Sequence, residues 1–533
     1  MLTLPLEVDI IGIENFREAE IMAKCSYRLF GNNAECTRRL GYGGLYAEMI
    51  YNCRIQNDAA GFVPVEYQGM KGLAQSQEWL HLQPGRIYEW NVVAGENVIV
   101  RVAPEFKRYV FFEGTGNKGS FSIKYNCPRC WFEVYSDGPI SYISLKPQDH
   151  FHGCRRDVLD AIKEMNPKTI RVPGGIFAEK TDWKDGLKPI EERKPIWDGG
   201  KPILFCCHEK YDSHELNIDD YAAICDYVGA EMEITARLTY SNAQDAADLV
   251  EYCNGDVTTP YGALRAQRGH PEPYNVRTWY VGNEVTYVAG VGLDNAIRLH
   301  DEFTEAMLKA DPTIRTVAST GNAEDWDDIF LSRAQQVDMC AVHNYIRDNI
   351  PNWDLDQMMS AAEDILYPLL KRQSIRSGGK PVLLDEWNMH WGWWGDGISG
   401  MYAATALTML IRRAEELNLY GASYFALVNE GCIRVYTDHV NFSPDGEVLK
   451  RMGVHAGGEV VADDDPAWVK TEHEDFDYIS VYNPSATEEK ALADTDGDYE
   501  VLTVCGVDMN ITAGSGKLEK LPPLSVAFIR KAK

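Results

Sequence analysis

Two glutamates follow apolar runs of the sequence and could act as a pair. Glu284 ends the run VRTWYVGNE, and Glu386 lies near the end of the run PVLLDEWN. A carboxylate beside buried strand residues costs free energy unless it is hydrogen-bonded, ion-paired or protonated. Retaining glycoside hydrolysis needs two carboxyl groups about 5 to 5.5 Å apart, one as the acid and one as the nucleophile. The pair therefore indicates glycoside hydrolysis, whereas a single glutamate of this kind is more typical of a helix cap or an ion pair.

The elements that would position these glutamates alternate between strands and helices. Seven apolar, β-rich runs are separated by amphipathic helical stretches: residues 169–175, 231–238, 276–284, 314–320, 337–345, 381–388 and 420–429. This alternation is typical of parallel strands covered by helices. An eighth run, residues 23–35, precedes them, and eight such units form a (β/α)8 TIM barrel. On this count Glu284 ends the fourth strand and Glu386 ends the seventh, which places both on the catalytic rim of the barrel.

Two further segments lack strong helical patterns. Short β-rich runs with Pro-Gly and Gly-Asn turns follow the first barrel strand, and β-rich runs return after Gly453. Both patterns are typical of antiparallel sandwiches. We therefore predict an α/β fold, a (β/α)8 TIM barrel with an inserted β-sandwich and a C-terminal β-sandwich. The predicted domains are 1–53 with the first barrel strand, 54–148 as an inserted, carbohydrate-binding-like sandwich, 149–452 as the remainder of the barrel, and 453–533 as the C-terminal sandwich.

The charge of the chain argues against a nucleic acid or a membrane as its partner. The 52 basic and 80 acidic residues give a net charge of -28, and a negative field repels phosphate backbones and anionic lipid surfaces. No apolar stretch is long enough to span a bilayer, and MLTLPLEVDIIGIENF lacks a basic region followed by a long apolar core. We predict a cytoplasmic protein; a secreted protein is the alternative if a signal peptide has been removed.

The cysteines do not form a metal-binding pattern. Thirteen cysteines are scattered along the chain, which fits reduced thiols. The pair Cys127 and Cys130 in CPRC has no second pair at zinc-site spacing. We therefore predict no metal and no cofactor, since glycosidases with two carboxylates need neither.

Several motifs around the two glutamates resemble the α-L-arabinofuranosidases of glycoside hydrolase family 51. They are GHPEPYNVRTWYVGNE (269–284), VEYCNG (250–255), RVPGG (171–175), FHGCRRDV (151–158), LLDEWN (383–388) and GGLYAEMIYN (43–52). The resemblance covers the predicted barrel and is loose in the two sandwiches. It implies a retaining, exo-acting arabinofuranosidase that acts on arabinose-containing oligosaccharides or polysaccharides such as arabinan and arabinoxylan. It also implies a homo-oligomer.

The resemblance assigns roles to five residues. Glu284 matches the general acid/base and Glu386 matches the nucleophile, while Asn283 matches the partner of the sugar hydroxyl next to the anomeric centre. Arg171 and Tyr345 would keep Glu386 charged and oriented. Such an enzyme is expected to raise the pKa of the acid and to keep the nucleophile ionised.

Other residues are expected to contact the sugar. Glu35 matches a family position that binds furanose hydroxyls, and His343 matches a position near the sugar, although a histidine after a strand is more often structural. Trp387 is expected to form a wall of the pocket. Tryptophan faces stack on sugars, so a leaving-group subsite is predicted, with a self-packed loop as the alternative, at Trp391, Trp393 and Trp394.

One position departs from the family pattern. Ile176 stands where the family usually places an asparagine that touches the sugar. Either Glu179 or Asp182 compensates, or the preferred sugar differs. Two alternatives therefore stay open: the same mechanism on a β-xyloside, a β-glucan or a galactofuranoside, or a carbohydrate-binding protein without catalysis. The presence of both Glu284 and Glu386 argues against the second alternative.

Overall fold

A computed structural model describes residues 24–36, 40–55, 59–197, 211–288, 291–320, 324–350, 354–390, 395–461, 463–493 and 495–533. Its centre is a closed barrel of eight strands. They are β1 (Gly31–Asn33), β2 (Thr169–Val172), β3 (Glu231–Ala236), β4 (Thr278–Val281), β5 (Arg315–Ala318), β6 (Met339–Tyr345), β7 (Val382–Asn388) and β8 (Leu419–Tyr424). Every neighbouring pair is parallel, and β1 pairs with both β2 and β8, which closes the barrel. The predicted TIM barrel is confirmed.

The barrel strands are buried along nearly their whole length. In β2, β4 and β7 every residue is buried. Strands of a parallel sheet have this character because side chains pack inside the barrel on one face and against helices on the other. The continuous apolar runs in the sequence are the direct consequence, and they end where the chain leaves the barrel.

Eleven α-helices lie in the part of the chain that the structure describes. They are α1 (Arg156–Met165), α2 (Trp183–Gly186), α3 (Ile218–Val228), α4 (Ala243–Asn254), α5 (Pro260–Gln267), α6 (Leu293–Ala310), α7 (Glu324–Arg333), α8 (Leu355–Ala361), α9 (Tyr367–Arg376), α10 (Gly397–Arg413) and α11 (Pro444–Met452). Local sequence sets their starts: Asn217 and Asp396 form capping boxes at α3 and α10. Within the described ranges, none of the helices is both long and apolar enough to traverse a bilayer.

The segment between β1 and β2 forms two antiparallel sheets with a core of their own. The five-stranded sheet contains, in spatial order, Val63–Tyr67, Met70–Gln75, Cys130–Ser136, Val98–Pro104 and Phe112–Thr115. The three-stranded sheet contains Lys118–Ser122, Ile87–Val93 and Tyr142–Pro147. The predicted inserted sandwich is therefore present.

The C-terminal part is also antiparallel. Its six-stranded sheet contains, in spatial order, Glu459–Val461, Trp468–Glu472, Phe476–Asn483, Ser525–Ala532, Asp496–Cys505 and Asp508–Lys517. Lys490–Ala491 and Lys520–Leu521 pair separately. Outside the C-terminal part, Ile196–Trp197 pairs with Tyr211–Asp212, and Ile433–Val435 pairs with Val440–Phe442. The predicted architecture is confirmed, whereas the exact domain limits stay predictions.

A buried ionic network ties the inserted sandwich to the barrel. Lys146, at the end of a sandwich strand, lies 2.7 Å from Glu215, in the segment before α3, and 3.7 Å from Glu48. Arg54 lies 3.4 Å from Glu215. Buried charges are tolerated when they are paired and hydrogen-bonded. Glu48 is held further by the hydroxyl of Ser144 and therefore has a structural position.

Candidate active site

Glu284 and Glu386 lie together at the carboxyl ends of β4 and β7. One carboxylate oxygen of each is within 4.8 Å of the other. Glu386 is buried, whereas the side chain of Glu284 is 31% exposed. Two carboxyl groups this close match the spacing of retaining glycosidases, since inverting enzymes separate them by about 6.5 to 9.5 Å.

A tight turn after β4 brings Glu284 to this place. Gly282 has φ 80° and Glu284 has φ 43°, both in the left-handed region. A Cβ on Gly282 would come within 2.9 Å of Leu238 Cβ and 3.0 Å of Glu179 Oε1, so only glycine fits there. Glu179 supports the turn because its carboxylate accepts the backbone N–H of Asn283 at 2.9 Å and that of Thr239 at 2.7 Å.

Arg171 of β2 organises the floor of the site. Its Nη1 donates to Glu386 Oε1 at 2.7 Å and to Asn33 Oδ1 at 3.2 Å. Its Nη2 donates to Asn283 Oδ1 at 2.8 Å, and its Nε donates to Thr235 at 3.1 Å. The guanidinium is thus engaged on every side, which fixes both the nucleophile candidate and the amide beside Glu284.

Two residues of β6 complete the surroundings of the glutamates. The hydroxyl of Tyr345 donates to Glu386 Oε2 at 2.9 Å. His343 Nδ1 lies 2.9 Å from Glu284 Oε1 and 3.4 Å from Glu386 Oε2. His343 Nε2 lies 3.1 Å from Asp385 Oδ2. His343 is therefore held between carboxylates on two strands.

Glu35, after β1, borders the same space. Its Oε1 accepts the backbone N–H of Phe177 at 2.9 Å. A Cβ on Gly175 would approach Glu386 Oε1 at 2.7 Å, Glu35 Oε2 at 3.0 Å and Asn283 Nδ2 at 3.2 Å. These three polar atoms therefore converge on one small volume beside the backbone of Gly175, and a side chain there would fill it.

The charges of the site shift several pKa values. Burial raises the pKa of Glu35 to about 8, and the nearby Glu386 carboxylate adds to the effect. Burial also raises the pKa of Glu386, against the opposing charges of His343 and Arg171. For His343, burial lowers the pKa, but the Glu386 and Asp385 carboxylates outweigh it and raise the pKa well above its usual value. Both ring nitrogens of His343 face carboxylates, an arrangement that favours the doubly protonated ring.

The expected order of the two glutamate pKa values is reversed in the structure. Burial raises the pKa of Glu284, yet the hydrogen bond and charge of His343 outweigh burial and lower it below its usual value. The reason is geometric. His343 Nδ1 lies closer to Glu284 than to Glu386, and the side chain of Glu284 is 31% exposed, whereas that of Glu386 is 6% exposed.

Trp387 and Ile176 complete the predicted site residues that the structure describes. Trp387 is 1% exposed, and its ring packs edge-on against Tyr402 of α10 and Tyr424 of β8. The ring is thus packed between other aromatic side chains, and a role for Trp387 as a pocket wall stays a prediction. Ile176 follows Gly175 and is 42% exposed. The predicted tryptophan subsite lies outside the described residues: Trp391, Trp393 and Trp394.

Both residues suggested as substitutes for the missing asparagine have structural hydrogen bonds of their own. The Glu179 carboxylate is occupied by backbone N–H groups, as described above, and Asp182 caps α2 by accepting from Lys184 and Asp185. The role of Ile176 therefore stays a prediction, and Asp182 uses its Oδ1 for the helix cap.

Two residues of the site were missed by sequence reasoning. Asp385 is fully buried and contacts His343, and it lies 3.7 Å from Arg171. Asn33 accepts from Arg171, and its amide donates to the backbone oxygen of Asp385 at 2.6 Å. The only sequence signals were the adjacency of Asp385 to Glu386 and the run FGNNAE around Asn33.

The donor sets that could hold a metal are already matched by protein cations. Two groups of three oxygen, nitrogen or sulfur ligands come together among the described residues: Glu48 with Cys53 and Glu215, and Glu284 with His343 and Glu386. Lys146 and Arg54 neutralise the first group. In the second group His343 Nδ1 lies 2.9 Å from Glu284 Oε1, and Arg171 donates to Glu386 Oε1 at 2.7 Å.

Comparison with known proteins agrees with this geometry. Residues 161–363 match the family model of the alpha-L-arabinofuranosidase 1 domain. An intracellular exo-alpha-(1->5)-L-arabinofuranosidase from Acetivibrio thermocellus is 32% identical over 203 residues, which cover 36% of this chain and 39% of that protein. Intracellular exo-alpha-(1->5)-L-arabinofuranosidase 1 from Bacillus subtilis is 30% identical over 262 residues, 46% of this chain and 51% of that protein.

A solved structure extends the likeness over the whole fold. A family 51 alpha-L-arabinofuranosidase from Bifidobacterium longum superposes with a TM-score of 0.65 and 16% identity, covering 96% of this chain and 97% of that chain. This likeness concerns the fold. In sequence, the chain spans about half or less of the length of the two curated relatives named above. The resemblance to the family 51 α-L-arabinofuranosidases is thus confirmed in sequence over residues 161–363, which match the family model.

Proposed function

We propose that this protein is a retaining, exo-acting α-L-arabinofuranosidase with Glu386 as nucleophile and Glu284 as general acid/base. The observation that carries the proposal is the approach of the two carboxylates to within 4.8 Å across the barrel mouth. At this distance the second carboxylate can reach the anomeric carbon itself, and no room is left for a water molecule between them.

The reaction proceeds in two displacements. Glu386 attacks the anomeric carbon while the bond to the leaving oxygen breaks and Glu284 protonates that oxygen. Glu284 then removes a proton from water, the water oxygen attacks the anomeric carbon, and the ester to Glu386 breaks. Arg171 and Tyr345 hold the two oxygens of Glu386 in the orientation that this attack needs.

The remaining polar groups are available for the sugar hydroxyls. Asn283 uses its Oδ1 to accept from Arg171, so its Nδ2 is left to donate to the hydroxyl next to the anomeric centre. Glu35 keeps Oε2 for the sugar, and its pKa of about 8 means that this carboxyl can donate as well as accept near neutral pH. His343 contacts the sugar only through Glu284 in this arrangement.

The substrate class follows the relatives. Two of them are named exo-alpha-(1->5)-L-arabinofuranosidases. We therefore propose terminal arabinofuranosyl units of oligosaccharides or polysaccharides, such as those of arabinan or arabinoxylan, as the substrate. Because these relatives are named intracellular, we also propose a cytoplasmic location. A homo-oligomer stays a prediction, which size-exclusion chromatography with light scattering will test.

Ile176 favours a second candidate, the same mechanism on another glycoside. An apolar, 42% exposed side chain next to Gly175 offers no hydrogen bond to a sugar hydroxyl. A sugar without a hydroxyl at that position would lose no hydrogen bond because of Ile176. β-Xylosides, β-glucosides and galactofuranosides are therefore the comparison substrates.

The test is release of p-nitrophenol from its α-L-arabinofuranoside, with the β-xyloside, β-glucoside and galactofuranoside in parallel. The wild type should turn over the arabinofuranoside, and Glu386→Ala should be slower by about three orders of magnitude or more. Asp445→Asn, which neutralises a buried carboxyl outside the site, is the matched control and should keep its activity. NMR of the first product should show the same anomer as the substrate. An inverted product, or full activity in Glu386→Ala, would refute the proposal.

A further inference from the structure

Asp385 lies behind the proposed acid/base and does not reach the sugar space. Its side chain is fully buried, and its Oδ1 accepts the backbone N–H of Val342 at 3.1 Å. Its Oδ2 faces His343 Nε2 at 3.1 Å. The buried carboxylate therefore fixes the imidazole ring and favours its doubly protonated form.

His343 carries this influence to Glu284. The Nε2 of His343 faces Asp385, and the Nδ1 of the same ring lies 2.9 Å from Glu284 Oε1. Because the ring is held at both nitrogens, a proton can move between Nδ1 and Oε1 without a rotation of either side chain. Asp385, His343 and Glu284 thus follow one another as carboxylate, imidazole and carboxylate.

We propose that Asp385 and His343 are positioning residues that store the acid's proton and deliver it to Glu284 when a glycoside covers it. The proposal rests on the function proposed above. In this step the Nδ1–H bond breaks and an Oε1–H bond forms, so the imidazolium and the Glu284 carboxylate both become neutral. Nε2–H remains bonded to Asp385. After the second displacement the proton taken from water returns from Glu284 to Nδ1.

The direction of transfer follows from solvent exposure. Glu284 has a side chain that is 31% exposed, whereas those of His343 and Asp385 are buried. A bound sugar removes water from Glu284, and loss of solvation favours its neutral form. A proton store on His343 fits the reversed pKa order: His343 lowers the pKa of Glu284, and its Nδ1 lies one hydrogen bond away from Glu284 Oε1.

Other charged and titratable groups also face His343, and they set the background for its titration. Glu386 lies 3.4 Å from Nδ1 and opposes loss of the proton. Tyr287 interacts electrostatically with His343 itself. Three further groups interact with Glu386 and so affect His343 indirectly: Arg171, Glu35 and Tyr345. Asp385, in contrast to these groups, contacts Nε2 at 3.1 Å, so it is the group to change.

The experiment compares leaving groups in Asp385→Asn. A dinitrophenolate leaves without protonation, whereas a sugar or alkyl alcohol needs the acid. For a methyl or arabinosyl arabinofuranoside we expect kcat/KM to fall about 10- to 100-fold more than for the dinitrophenyl arabinofuranoside. The alkaline limb of kcat/KM should also move to lower pH, because loss of the Asp385 charge weakens retention of the stored proton.

The matched control is Glu233→Gln, which neutralises another buried barrel carboxylate. Glu233 accepts from Tyr280 at 2.7 Å and from Arg28 at 3.3 Å and contacts neither His343 nor Glu284. It should affect both leaving groups equally. If Asp385→Asn does not fold, His343→Gln serves instead, with the same expected dependence on the leaving group. Equal losses for both leaving groups, with the alkaline limb unmoved, would overturn the proposal.

A second measurement does not depend on activity. Nitrogen NMR of labelled histidines should show one imidazolium that persists well above the usual titration range in wild type and is lost in Asp385→Asn. A His343 ring that is neutral in wild type at pH 7 would overturn the proton store. If instead wild type shows this imidazolium but hydrolyses no arabinofuranoside, the function proposed above fails while the Asp385–His343 contact stands.

Discussion

The hydroxyl of Tyr345 donates a hydrogen bond of 2.9 Å to Glu386 Oε2, and Tyr345→Phe removes that bond alone. Burial, followed by the charge of Glu386, raises the pKa of Tyr345 well above its usual value, so the phenol stays protonated and can only donate to the carboxylate. A donor of this kind stabilises the ionised form of Glu386 and so lowers its pKa. Without it, protonated Glu386 should persist to higher pH.

The size of the effect follows from the bond. A hydrogen bond to a charged group contributes about 1.5 to 3 kcal/mol, and 1.36 kcal/mol corresponds to about one pKa unit. The acidic limb of kcat/KM should therefore move up by about one to two units. Well below that limb the variant should be about 10- to 100-fold slower than wild type. On the plateau the loss should be smaller, because Arg171 still holds Oε1 at 2.7 Å.

The assay is the pH dependence of kcat/KM with p-nitrophenyl α-L-arabinofuranoside. Tyr46→Phe is the matched control, since Tyr46 is a buried tyrosine that donates to the buried carboxylate of Asp212 at 2.8 Å, outside the site. Tyr46→Phe should leave the limb in place. An acidic limb of Tyr345→Phe that coincides with wild type would show that the hydroxyl does not act on the ionisation of Glu386, and the reasoning would be refuted.

Three further changes have expected outcomes. Glu35 binds its proton more tightly in the folded state, with a pKa of about 8, so its stabilising contribution is lost as the pH rises towards that value. Glu35→Gln cannot titrate, and its melting temperature should rise relative to wild type between about pH 5 and pH 8; a constant difference would contradict the raised pKa. Lys146→Met leaves Glu215 and its buried network short of a cation and should cost about 3 to 5 kcal/mol of unfolding free energy in urea. Lys371→Met removes a surface ion pair and should cost under about 1 kcal/mol. An equal loss of unfolding free energy in the two variants would show that burial does not make the Lys146 ion pair more important. Ile176→Asn offers a hydrogen bond at an exposed position and should raise kcat/KM for the arabinofuranoside about 3- to 10-fold relative to the β-xyloside; an unchanged ratio would remove Ile176 from sugar selection.

The order of the barrel strands was predictable because its signals are local. Apolar runs such as residues 276–284 and 381–388 reflect burial on both faces of a strand, and each run ends where the chain leaves the barrel. A carboxylate at such an end stands out by type alone. Glu284 and Glu386 were therefore recognisable as a pair before their distance was known.

The orientation of side chains within a strand was less predictable. Trp387 directly follows Glu386, and adjacency suggested a pocket wall. Successive strand residues point to opposite faces, and the register between β7 and β8 shifts between Leu384 and Trp387. Trp387 therefore packs towards α10, and no periodic pattern in the sequence records that shift.

By itself the sequence determined the strands, the helix starts and the residue types at the barrel rim, since propensity, burial and capping act over a few neighbouring residues. The tertiary structure alone decided which of those residues share a proton or a charge. Arg171 and Glu386 are 215 positions apart, and His343 meets Glu284 across 59 positions. Strand register sets such distances, and electrostatic effects depend on distance and burial. The pKa order of the two glutamates is therefore a property of the closed barrel.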